Sequence, residues 1–342
     1  MNRIRLVYEQ IEEAKRLLLS KSVLQLRLSL ILLDNAAELM MYESLRYRFA
    51  YDDHVTAPII RQSEQLGVPL AYPLRIKYSA DERKEAERDF EGMLRLLDVR
   101  LGYISREDRN VLSITHRIRK DSFHRGFLRE DILQPVCNVL FRTVVGLTLK
   151  LKPKSMSYGE LSKEENEFLA RFKISYPNLL LDDSAREHIS GVLLKGIGDL
   201  DPMRFAELLS QEVLARIEQT LDGLKEVGGS GDEGELDMLF NHEDFWREKR
   251  EELESLERAD RDGQKAIFHK WVAEGRSPFS VRRVAALQRK AILIATQKSP
   301  ARVLSLYWNV ERIFEPSESR IGKIIADFDA WTNLQVDIAR GK

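Results

Sequence analysis

Leu26, Leu30, Leu33, Ala37 and Met40 recur at steps of four and three. That spacing lines one face of an α-helix. Helical signals dominate the rest of the chain, and no segment keeps the strict alternation of a half-buried strand. The chain therefore reads as all-α. Its helix starts are marked chemically. Ser79–Glu82, Ser162–Glu165 and Ser184–Glu187 each set a hydroxyl three residues before a glutamate, the pairing that satisfies orphan N–H groups at a helix start. Ser105–Asp108 is a shorter version. Asp201-Pro202 and Ser299-Pro300 read as a cap followed by proline in the first turn.

These marks predict helices near residues 2–20, 22–50, 80–100, 105–124, 130–151, 162–173, 184–196, 202–226, 242–275, 280–297, 300–314 and 318–339. A loop holding Pro58, Pro69 and Pro73 separates the second from the third. Residues 151–161 form a short polar break. Residues 227–236 hold four glycines, one serine and three acids, which is linker composition. The expected organisation is a helical bundle over 1–152, a connector over 153–226, a linker over 227–236 and a C-terminal helical subdomain over 237–342. Within that subdomain, 242–262 is a dense mixed-charge helix, either a solvated face laced with ion pairs or a surface for a partner. Trp308, Phe314, Phe328 and Trp331 fall at helical spacing and are expected to form its core, with stacking on nucleic acid as the alternative.

Bulk charge points to no partner class, because 54 Lys and Arg face 55 Asp and Glu. Cys137 is the single cysteine, which excludes an internal disulfide or a cysteine-rich zinc site. The apolar run Val23 to Leu33 contains Gln25 and Arg27 and is too short to span a bilayer. A cytoplasmic protein without a membrane role is the expectation. The six histidines show no zinc-ligand spacing, and no Walker loop, GxGxxG or GxSxG occurs. No cofactor or metal is expected.

What remains is HRIRKDSFHRG, residues 116–126. From Val111 to Pro153 eight Lys and Arg face three acids, a local basic excess in a nearly neutral chain. Such a cluster attracts phosphate. An imidazole beside guanidinium groups can move protons near neutral pH, and an arginine can hold charge that builds on a phosphate.

Arg119-x4-His124, followed by Arg125-Gly126, resembles the R-x(4–6)-H motif of HEPN domains. The helix LILLDNAAELMM, residues 30–41, is similar to that family's second helix, with Asp34 and Glu38 interrupting an apolar run. The order of helices over residues 1–152 agrees as well. Four Arg–His pairs satisfy the bare spacing: Arg48–His54, Arg109–His116, Arg117–His124 and Arg119–His124. The surrounding phrase and the helix order single out the last.

The resemblance implies a metal-independent endoribonuclease of the toxin or anti-phage defence kind, with RNA as substrate. Its site would be shared by a homodimer formed through this domain. His124 would move protons and Arg119 would hold the scissile phosphate, while a ribose 2′-OH attacks the adjacent phosphorus. Arg117, Lys120, Asp121 and Arg125 would support the site or bind substrate. Lys120 stands where the family usually carries a small polar residue. Asp34 and Glu38, carboxylates amid leucines that need partners, would orient Arg119 or backbone groups. At about 100° per residue Arg119 and His124 lie roughly 140° apart, whereas Arg117 and His124 nearly share a face.

Two other readings fit the same residues. One is a non-catalytic helical module that binds RNA, nucleotide or a protein partner, with His124 an ordinary helix-end residue. The other is an assembly scaffold that uses the charged helix in the C-terminal half.

Overall fold

A computed structural model of the chain describes residues 2–20, 22–67, 78–125, 130–151, 162–174, 183–228 and 281–340, with isolated positions between 263 and 270. Every regular element among them is helical. In chain order these are α1 (Asn2–Ser20), α2 (Val23–Tyr51), α3 (Ala57–Leu66), α4 (Ala80–Arg88), α5 (Phe90–Arg95), α6 (Arg106–Arg125), α7 (Glu130–Lys150), α8 (Lys163–Arg171), α9 (Asp183–Leu194), α10 (Pro202–Gly228), α11 (Val281–Ala295) and α12 (Pro300–Ala339). Single π-helical turns lie at Asp52–Thr56 and Leu96–Arg100.

Two compact units result, one of residues 1–201 with 299–305 and one of 202–298 with 306–342. The first boundary expected, at 152, is not a division. α8 and α9 pack on α1 and α7, so they complete the first unit. α10, expected in a connector, belongs to the second unit and lies against α11. The first two linker positions, 227 and 228, end α10. The rest of the linker and the charged segment 242–262 lie outside the described residues.

The core of the first unit is α2 and α7, with α1, α5, α6 and α9 around them. Leu30, Leu33, Ala37 and Met41 of α2 are buried against Leu140, Phe141 and Val144 of α7. The segment Ile132–Lys150 has the length and apolar content of a membrane span, and 61% of it is buried, as in a core helix. Cys137 is fully buried there and its thiol points at the Leu26 carbonyl, 3.5 Å away. Burial pushes that thiol's pKa up, so it is expected to resist alkylation in the native protein.

The serine boxes at Ser79, Ser105 and Ser162 form. Ser79 and Ser162 each accept from the backbone N–H three residues on, and Glu82 and Glu165 return the bond. Ser105 does the same with Asp108, at 3.1 and 2.9 Å. Ser184 lies within α9, whose described residues begin at Asp183. Two proline readings differ. Pro58 is the second residue of α3, which follows directly on the π-helical turn Asp52–Thr56, so part of the expected loop is helix. Pro316 lies inside α12, and the helix runs through it. Buried Phe314, Ser317 and Ile321 hold both sides of that position in place.

The Ser105 box also carries a pH-dependent prediction. Asp108 accepts from Lys150 Nζ at 2.5 Å in addition to Ser105. Burial alone would raise its pKa, yet the bonds from Lys150 and Ser105 outweigh it and hold the carboxyl below the ordinary 3.8. A depressed folded-state value stabilises above the unfolded value and is lost as pH falls through the folded one. Asp108→Asn is therefore expected to cost about 1 kcal/mol at pH 7, the usual size of a lost cap. The gap to wild type should close below the ordinary carboxylate range. Urea unfolding at both pH values measures it, and a gap that persists in acid contradicts the assignment.

Candidate functional site

The basic phrase lies at the C-terminal end of α6, which is continuous from Arg106 to Arg125. One stripe of this helix faces the core: Leu112 and Thr115 are buried, and His116 and Arg119 follow at the same spacing. A polar continuation of a core stripe needs partners, because buried polar groups without bonds are costly. Asp34 of α2 supplies them. Its side chain is 2% exposed. Arg119 donates to Asp34 Oδ2 from Nε at 2.9 Å and from Nη2 at 2.7 Å. His116 Nδ1 lies 3.1 Å from both Asp34 oxygens.

His116 also stacks flat on Phe90 of α5, with ring centroids 4.0 Å apart and an interplanar angle of 8°. The carboxylate and the phenyl ring together fix the imidazole plane. A carboxylate accepting from Nδ1–H selects the tautomer that leaves Nε2 as the proton acceptor. Asp34, His116 and Arg119 thus form a carboxylate–imidazole–guanidinium cluster. Arg119 keeps 30% of its side chain exposed and His116 20%.

The expected supporting residues divide. Arg117 turns to α5 and donates to Glu91 at 3.1 Å, where Ser113 also donates. Lys120 is exposed. Asp121, His124 and Arg125 continue the α6 backbone, and their side chains lie outside the described residues. The unbroken helix keeps His124 about 140° around the axis from Arg119.

Glu38 was expected beside Asp34 as a second orienting carboxylate. The structure corrects this: Arg119 bonds Asp34 alone among the described residues. Glu38 instead lines an open cleft of about 570 Å³ between α2 and the α4–α5 junction, with Asn35, Tyr42, Arg88 and Phe90. Phe90 is shared, lining the cleft and stacking on His116.

His116 and Phe90 are the members of the site that motif reading passed over. His116 stood in the sequence as half of the Arg109–His116 pair. Its i, i+3 relation to Arg119 on the Leu112–Thr115 stripe was the usable signal. Phe90 had none, because its place depends on α5 packing across α6.

Comparison of the chain with protein-family models, with curated proteins and with solved structures finds no match.

Proposed function

We propose that the N-terminal unit is a metal-independent endoribonuclease of the HEPN type that works as a homodimer, in a toxin or anti-phage defence role. The observation that carries the reading is the grip of Asp34 on Arg119 and His116 at the basic end of α6. A held guanidinium can bind a phosphodiester through its outward edge, and a cationic helix end draws RNA to it.

In the proposed reaction the ribose 2′-oxygen attacks phosphorus and the bond to the 5′-oxygen breaks. One imidazole accepts the 2′ proton and a second donates a proton to the departing 5′-oxygen. The products are a 2′,3′-cyclic phosphate and a 5′-hydroxyl. Arg119 holds the non-bridging oxygens as charge grows on them. His124 is the proposed proton carrier, and the separation of Arg119 from His124 around α6 supports a site that draws these two residues from different chains. His116, with Nε2 available, is a further proton carrier within each chain.

The rival reading is a binding module, and one observation favours it. An arginine with two bonds to one buried carboxylate oxygen has the geometry of a structural residue. Incubation of the purified protein with total cellular RNA in EDTA separates the two. Cleavage that leaves cyclic phosphate ends and disappears in Arg119→Ala and His124→Ala supports the enzyme. RNA binding that weakens with salt, without cleavage of any RNA, overturns it.

A further inference from the structure

Glu38 is the carboxylate that Arg119 leaves unused. It stands half-buried on α2, and no hydrogen bond or ion pair holds it among the described residues. A carboxylate drawn part-way out of water without a partner is costly, and its place in a cleft wall points to a ligand. Asn35 and Tyr42 lie three positions before it and four after it, on the same face of the helix. Both line the cleft with it.

The opposite wall is the α4–α5 corner. Asp89 leaves helical geometry there, at φ −141° and ψ 130°, and accepts from the Glu91 N–H to start α5. A cap thus fixes the corner. Ala86, Phe90 and Met93 are buried and make the wall apolar, while Glu87, Arg88 and Asp89 are exposed at its mouth. The same Phe90 stacks on His116. Whatever lodges in the cleft therefore lies one aromatic ring away from the Asp34–His116–Arg119 cluster.

Charge divides the two places. Three acids and one arginine line the cleft, whereas the end of α6 is basic. A phosphate is drawn to α6 and repelled from the cleft. The cleft suits a flat group that offers N–H donors. It is open along one side, so it admits part of a larger molecule.

We propose that the cleft seats a guanine base of the RNA next to the scissile phosphate, with Glu38 accepting from N1–H and from the N2 amino group. This rests on RNA being the substrate, as proposed for the neighbouring cluster. A carboxylate has two acceptor oxygens and no donor. Guanine alone among the four bases sets two donors side by side on its Watson–Crick edge. Adenine and cytosine set a donor beside an acceptor, and uracil sets one donor between two acceptors. Glu38 can thus make two bonds to guanine and one to the others. The Asn35 amide, one turn away, can donate to O6. Tyr42, 38% exposed, supplies a ring for stacking, the usual way that an unpaired RNA base is held. Glu38 acts here as a specificity residue and takes no part in moving protons.

Binding of 2′-fluoro oligouridylates to the full chain tests this apart from cleavage, because they lack the attacking 2′-hydroxyl. Each carries a single central guanosine, inosine or adenosine. The guanosine oligomer is expected to bind at least about fivefold tighter than the adenosine one, the low end for a two-bond contact. Inosine, without the N2 amino group, falls between them. Glu38→Gln is expected to lose the guanosine preference, because an amide sets a donor beside its acceptor and so suits adenine. Tyr42→Ala should weaken all three alike, since stacking does not read the base. Equal affinity for all three overturns the proposal, as does a guanosine preference that survives Glu38→Gln or a failure to bind any of them. A guanosine preference in a protein that cleaves no RNA leaves the cleft assignment standing and removes the ribonuclease. Cleavage indifferent to the base, and unchanged in Glu38→Gln, does the reverse.

Discussion

Arg119→Ala is expected to destabilise the N-terminal unit by about 3–5 kcal/mol, the range for stranding a buried charge. The two ends of the pair are unequal. Asp34 is 2% exposed, whereas Arg119 is 30% exposed. Losing the guanidinium leaves a carboxylate out of water with only His116 beside it. Losing the carboxylate leaves two groups that can still hydrate in part. Asp34→Ala should therefore cost less, about 1–3 kcal/mol. Denaturant unfolding of the two single variants measures the order, and an Asp34→Ala loss larger than that of Arg119→Ala contradicts the burial argument.

The same asymmetry governs how an activity test must be read. A dead Arg119→Ala protein could be an unfolded one. Asp34→Asn/Arg119→Gln keeps a hydrogen-bonded pair of similar shape and removes both charges. It is expected to recover most of the stability, because no charge is left buried. Under the proposed reaction it should not restore RNA cleavage, because neither side chain then offers a cation to a phosphate. Cleavage by the folded double variant would show that Arg119 acts on structure alone.

Much of this was legible in the sequence, for a local reason. Helix starts at Ser79, Ser105 and Ser162 are decided within four residues, and so they are written there. The need of Asp34 for a partner was legible too, since a carboxylate among leucines at helical spacing has to be paired. Which partners it takes was not. Glu38 lies one turn away on the same helix and makes no such contact, because α6 crosses α2 nearer Asp34. Chain-local reading also failed where packing overrode it. Residues 315–317 were expected to separate two helices, yet α12 runs across them with Phe314, Ser317 and Ile321 buried. Phe328 and Trp331 read as core yet are 38% and 58% exposed, because burial is decided by what packs beside α12 and the sequence of α12 does not show that.

Arg216 is the group that ties α12 across Pro316. It bonds Glu212 at 3.2 Å, Glu311 at 2.8 Å and Glu318 at 2.8 Å, and it lies over the Phe314 ring at 5.2 Å. Burial disfavours its charge, but the hydrogen bonds to Glu318 and the charges of Glu311 and Glu212 outweigh that and raise its pKa. A raised folded-state value stabilises below the unfolded one, so this contribution is complete at every pH at which an unfolded arginine is charged. Arg216→Ala takes away a cation that three carboxylates share, among them Glu311, whose side chain is 7% exposed. The expected loss at pH 7 is at least about 3–5 kcal/mol. The variant should regain stability as pH falls, because protonating one of the crowded carboxylates relieves the repulsion. Arg216→Ala/Glu311→Gln should recover part of the loss at pH 7 for the same reason. Thermal melts of both variants across acid and neutral pH test this. A loss that is the same at every pH, with no recovery in the double variant, would mean that Arg216 acts through packing on Phe314 and not through charge.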